Sequence, residues 1–202
     1  MSISETSICN LALSRFGGGK ITSLDDDTTE TARLLNLNYD NCLETVLREF
    51  PWNFARKIDI LALTSNKTPG YNYVYAYPSG CMNLLRIYTA GNARLQCKVE
   101  FKIITDGDEK FIACDIEGAC GEYTFKVITP NVYDSLFVKA FSYQLAAEIC
   151  NAKTGNAQKT QEMLQKYQLS LGEAQLAGAI ENCSKIEYPS SFLNSRGSRG
   201  MR

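Results

Sequence analysis

The chain changes its hydrophobic period twice, and this pattern restricts its possible folds more than any other feature. From Ser2 to Phe16, from Thr28 to Glu49, and again from Val132 to about Asn182, apolar residues recur every three or four positions, as on one face of a helix. Between Lys57 and Ile128 the pattern becomes short runs rich in β-branched and aromatic residues. Turn signals at 66–70, Gly91-Asn92 and Asp106-Gly107-Asp108 divide these runs. The pattern predicts an α+β fold. A helical bundle, built from N- and C-terminal helix pairs (1–56 and 131–185), carries an inserted antiparallel β-sandwich or barrel-like module (57–130) and is followed by an extended C-terminal arm (186–202).

The boundaries follow from local chemistry. Ser2 and Glu5 have capping-box spacing, Ile8, Leu11, Ala12 and Phe16 share a face, and three successive glycines at 17–19 end the first helix. Asp27, with Glu30 three residues on, is the expected cap of a second helix whose apolar face is Ala32, Leu35, Tyr39, Cys42, Val46 and Leu47. Expected strands are Lys57–Leu63, Tyr73–Tyr77, Asn83–Tyr88, Gln96–Ile104, Lys110–Cys114 and Tyr123–Val127. A third helix is expected over Val132–Cys150 and a fourth from Ala157 to about Asn182, with a turn at Asn151–Asn156 between them.

Composition narrows the chemistry. The chain has no histidine, which removes the commonest general base, metal ligand and triad partner together. Twenty-one basic and twenty-two acidic residues leave a net charge of −1, with no global attraction to nucleic acid or anionic membrane. The eight cysteines contain no CxxC pair and are expected as reduced, buried thiols in a cytoplasmic setting. A zinc site from Cys97, Cys114 and Cys120 lacks paired-ligand spacing. GGGK lacks the spacing and the following Ser or Thr of a phosphate loop, and Asp25–Asp27 lacks the alternating ligands of a calcium loop. Neither a signal peptide nor a membrane span is expected.

Two segments stand out as functional. Pro51 stops the second helix and restricts Phe50 before it, while Trp52 and Phe54 are large enough to set the angle between helices and strands by their burial. The closing IEYPSSFLNSRGSRGMR has no period. It is either a frayed terminus or an arm, unstructured until a partner orders it, whose Phe192, Leu193, Arg196 and Arg199 dock on that partner.

ICNLALSRFG, ITSLDDD, LREFPWNFARK, YNYVYAYPSGCMNLLRI, FVKAFSYQLAAEIC and SSFLNSRG occur in an order that resembles the tail tubular protein A family, the head-to-tail adaptors of short-tailed phages. Together these segments span nearly the whole chain; the number of cysteines, and Phe192 in place of a tryptophan, depart from the family pattern. The resemblance implies a non-enzymatic virion protein without cofactors, monomeric before assembly and then a dodecameric ring at the head-to-tail interface, assembled in the host cytoplasm. Its partners would be the portal protein on one side and a tail nozzle or further ring protein on the other. Double-stranded DNA would slide through the lumen without specific binding, and no membrane would be involved. Three alternatives carry their own residues: another connector layer such as a stopper or head-completion protein; a thiol-dependent enzyme using Cys114 or Cys120; and a nucleic-acid-binding module using Arg196, Arg199 and Arg202.

Overall fold

The structure, a computed structural model, describes residues 3–25, 28–65, 68–89 and 99–181. Helix α1 spans Glu5–Phe16, and its capping box lies two residues beyond the expected Ser2. Ser4 Oγ accepts the Ser7 N–H (3.2 Å) and Ser7 Oγ accepts the Ser4 N–H (2.9 Å), so a serine fills the reciprocal role expected of Glu5. Gly17, at φ +81°, closes the helix by donating its N–H to Leu13 O. Asn10 then holds the returning loop by bonding both the N–H and the C=O of Ile21. Helix α2 spans Glu30–Glu49 and is capped by Thr29, whose Oγ1 accepts the Ala32 N–H; the expected cap Asp27 lies outside the described residues. All six apolar positions expected on its buried face are buried.

Six strands follow: β1 Arg56–Ile60, β2 Tyr73–Ala76, β3 Cys81–Thr89, β4 Phe101–Asp106, β5 Glu109–Cys114 and β6 Ala119–Phe125. They form two antiparallel three-stranded sheets, β1-β6-β3 and β2-β5-β4. The sheets do not close into a barrel, which corrects that part of the expectation: each keeps two edge strands, and the described backbone pairing between them is the Leu63–Tyr75 bridge with its flanking hydrogen bonds, Ala76 N–H to Ala62 O and Thr64 N–H to Val74 O. The bridge exists because the chain leaves β1 at Leu61 and crosses to run beside β2. Side chains from both sheets meet in one apolar cluster, with Leu61, Tyr75, Leu84, Ile87, Ile112, Ala119 and Tyr123 among its members.

β6 begins four residues earlier than its residue types suggest. Ala119, Cys120 and Gly121 have little intrinsic strand preference, but β6 is the central strand of its sheet, and pairing on both sides with burial overrides propensity. Of the expected strand Gln96–Ile104, residues 96–98 lie outside the described residues, Val99 and Glu100 are not in the strand, and β4 runs two residues past Ile104 to Asp106. Helix α3 spans Ser135–Thr154, starting after a 3₁₀ turn at Pro130–Val132 and running four residues past Cys150 to its cap at Gly155 (φ +61°). Helix α4 spans Ala157–Glu181.

α3 packs against each of the other three helices and supplies Phe137, Phe141 and Leu145 to a core that also takes Ile8 and Leu13 from α1, Leu35 and Leu43 from α2, and Met163 and Tyr167 from α4. No described helix is long and apolar enough to cross a membrane.

Gly121 shows how tightly this apolar cluster is packed. A Cβ there would stand 2.9 Å from Leu61 Cδ2 and 3.4 Å from Leu84 Cδ1. Gly121→Val should therefore lower unfolding free energy by about 1–3 kcal/mol through overpacking, despite the better strand propensity of valine, as measured by urea denaturation.

Candidate functional site

The chain passes between helices and sheets twice, over 50–56 and over 125–133, and the two passages meet the sheet side by side, where Arg56 stands opposite Thr124 at the end of the β1–β6 ladder. The ladder holds those two ends together, and the side chains around them brace the junction further.

Pro51 stops α2: Phe50 takes an extended conformation (φ −142°), as the residue before a proline favours. Trp52 turns inward and is buried. Its Nε1 donates to Val46 O (2.8 Å), satisfying one of the carbonyls left free at the end of α2. Its ring meets Phe50 edge-on at 5.2 Å and Phe137 of α3 at 4.9 Å. Phe54, half-buried, lies 4.9 Å from the same Phe137 and 5.6 Å from Tyr133. Phe137 is thus the common neighbour of Trp52, Phe54 and Tyr133, so the first passage is clamped to the first turn of α3. The second passage is tied in by the Tyr133 hydroxyl, which donates to Val127 O (2.8 Å). Burial, and then the carboxylates of Glu5 and Asp40, push that phenol above its ordinary range, so it remains a donor.

Polar contacts complete the clamp. Glu122, in the middle of β6, is buried between two guanidinium groups: Arg56 Nη1 at 3.4 Å, and Arg86. Arg56 also donates to Pro51 O, connecting this cluster to the hinge. Lys126 pairs with Glu44 of α2 (2.6 Å), and the Tyr167 hydroxyl of α4 donates to Glu49. Asn53 Nδ2 donates to Glu181 Oε2 (2.7 Å), joining the hinge to the end of α4. Gly178 allows the approach of α4, because a Cβ there would come within 3.0 Å of two Phe50 ring carbons. A residual cleft of about 290 Å³ lies among Phe50, Phe54, Leu136, Ala174 and Gly178.

Of Pro51, Trp52 and Phe54, named from sequence as a structural hinge, Pro51 lies just past the end of α2, and Trp52 and Phe54 both meet Phe137. Phe192, Leu193, Arg196, Arg199 and Arg202 lie outside the described residues. A missed signal was available in Glu122, a carboxylate within a strand whose every other residue up to Thr124 is buried. Such a group needs cationic partners.

Burial pushes the Cys9 and Cys42 thiols up to about 12, with Glu5 and Glu148 respectively adding to the effect. Burial also raises the Cys114 thiol, which sits in the cluster between the sheets and not in a cleft. Among the described residues no cluster of three metal-ligating side chains exists; Cys97 lies outside them. No protein-family model matches the chain, and no curated protein matches its sequence.

Trp52→Ala should cost about 3–5 kcal/mol in chemical denaturation, because it opens a cavity beside Phe137 and frees the Val46 carbonyl. Cys9 and Cys42 should stay unlabelled by a thiol reagent at mildly alkaline pH in the native protein and react once urea unfolds it, as read by peptide mass mapping.

Proposed function

We propose that this chain is a structural virion protein, the subunit of an adaptor ring that docks on the portal of a short-tailed phage, joins it to the tail and forms part of the DNA exit channel. In this reading residues 1–56 and 131–185 are one helical bundle, and residues 57–130 are a β-sandwich in which β1-β6-β3 stacks on β2-β5-β4. Residues 186–202 are an arm whose Phe192, Leu193, Arg196 and Arg199 engage the portal or the neighbouring subunit. The resemblance to the tail tubular protein A family supplies the dodecameric stoichiometry and the two partners.

The observation that carries the reading is the braced double passage between helices and sheets. In a cyclic ring every subunit meets its neighbours through two different faces, so an angular error within the subunit repeats at each step and prevents closure. A junction held by two paired strands, an aromatic clamp on Phe137 and the Arg56–Glu122–Arg86 cluster gives every copy the same angle. A net charge of −1 suits a lumen through which DNA must slide without sticking.

Electron microscopy of the full chain mixed with the portal encoded in the same genome should show added density that follows the portal's symmetry. Deleting residues 186–202 should abolish that attachment while leaving monomer folding intact. Bare portals with the intact chain, or undiminished attachment without the arm, would sink the reading.

A further inference from the structure

β1 has an open edge, and a segment of this same chain is complementary to it. Leu61 donates its N–H to Ala119 O (2.8 Å), so by antiparallel alternation Asp59 and Lys57 also turn their backbone groups toward β6, while Ile60 and Ile58 turn theirs away. Past Ile60 the outward side is occupied by β2: Ala76 N–H donates to Ala62 O and Thr64 N–H to Val74 O, each at 2.8 Å. β2 ends at Ala76, and after Pro78 the chain turns into β3, so among the described residues no strand pairs with the outward edge of Ile58 and Ile60. Those two side chains are 55% and 76% exposed. A groove of about 870 Å³ adjoins the strand, lined by 57–62 together with Tyr77, Pro78 and Phe125. An unprotected edge with apolar side chains beside a groove is a site for strand addition.

We propose that this edge takes residues 184–188 of a second copy of the chain as an added antiparallel strand. With Ile186 opposite Ile58, Glu187 falls opposite Lys57, Lys185 opposite Asp59 and Tyr188 opposite Arg56. Opposite charges then face each other on one side of the strand pair and the isoleucines meet on the other. Pro189, which has no N–H, falls opposite Ala55, at a position whose backbone points away from β1, where a proline is tolerated. A parallel alignment would instead set Lys185 against Lys57 and Glu187 against Asp59. A one-residue slip would turn the apolar side chains to the wrong face.

Chain length selects the neighbour's segment over the chain's own. α4 ends at Glu181, which is bonded to Asn53 just ahead of β1. The four steps from Glu181 to Lys185 span at most about 14 Å. The path from Asn53 to Asp59 is about 16 Å along a 3₁₀ turn and a strand, and the chain must also reverse direction. A segment from another copy has no such restriction. The contact joins two different surfaces, an edge and a tail, so it is head-to-tail in type and can propagate from copy to copy. It goes beyond the adaptor reading and does not depend on it.

The test uses the full chain. An equimolar mixture of unlabelled and heavy-isotope-labelled protein is treated with a carbodiimide, which joins lysines to carboxylates in direct contact, and the linked peptides are mapped by mass spectrometry. Lys57–Glu187 and Lys185–Asp59 links joining a light to a heavy peptide are expected. Lys57→Glu and Glu187→Lys should each weaken self-association about tenfold in sedimentation, and mixing the two variants should restore it, since the reversed charge on the edge of one copy then meets the reversed charge on the tail of the other. Links confined to one isotope would assign the edge to the chain's own tail and overturn the proposal. Absence of both links, or a variant mixture no better than its components, would overturn it equally, whether the edge stays empty or takes some other peptide.

Discussion

The pairing of Arg56 with Thr124 is the constraint on which the rest of the molecule depends. It brings together the sheet ends of two chain crossings that are separated by the whole β region in sequence. Once those ends are fixed, each side chain around them has a defined partner: Trp52 on Phe137, Tyr133 on Val127, Lys126 on Glu44. Without it, Pro51 would end a helix and leave the direction of the next segment open.

Hydrophobic and ionic contacts divide the work at the junction. The aromatic clamp excludes water and supplies area, and rings meeting edge-on add directional preference. The Arg56–Glu122–Arg86 cluster contributes less to net stability, because desolvating the Glu122 carboxylate offsets much of its attraction to guanidinium groups that remain partly in water. Its value is positional: a buried carboxylate held from two sides leaves few alternative arrangements of β1, β6 and β3. In the proposed ring that distinction matters, since closure depends on a reproducible angle more than on a large unfolding free energy.

Much of this architecture was legible in the chain. Each of the four helices and six strands overlaps a segment that periodicity marked, most closely where a long amphipathic stretch such as Thr28–Glu49 buries one unbroken stripe. The caps were legible only to within two residues, since Ser2, Ser4, Asp27 and Thr29 have similar capping ability, and tertiary contacts such as Asn10 with Ile21 fix the loops between them. The start of β6 was hidden because small residues carry no strand signal, and the split into two open sheets was hidden because strand order is set by long-range pairing. At the junction the aromatic residues announced themselves by type. The bracing ion pairs did not, because Arg56 with Glu122 and Lys126 with Glu44 are neighbours only after folding.

The place of α3 in the chain has a consequence for biosynthesis. α1 and α2 leave the ribosome first, but the helix that touches both of them and buries their apolar faces begins only at Ser135. β1 likewise waits for β6, its only described ladder partner within the sheet. Neither layer can mature on a nascent fragment, so the core must form after nearly the whole polypeptide has been translated. Prematurely terminated products would expose Leu35, Leu43 and Val46 to water and become substrates for chaperones and proteases, which keeps truncated copies out of any assembly the complete chain enters.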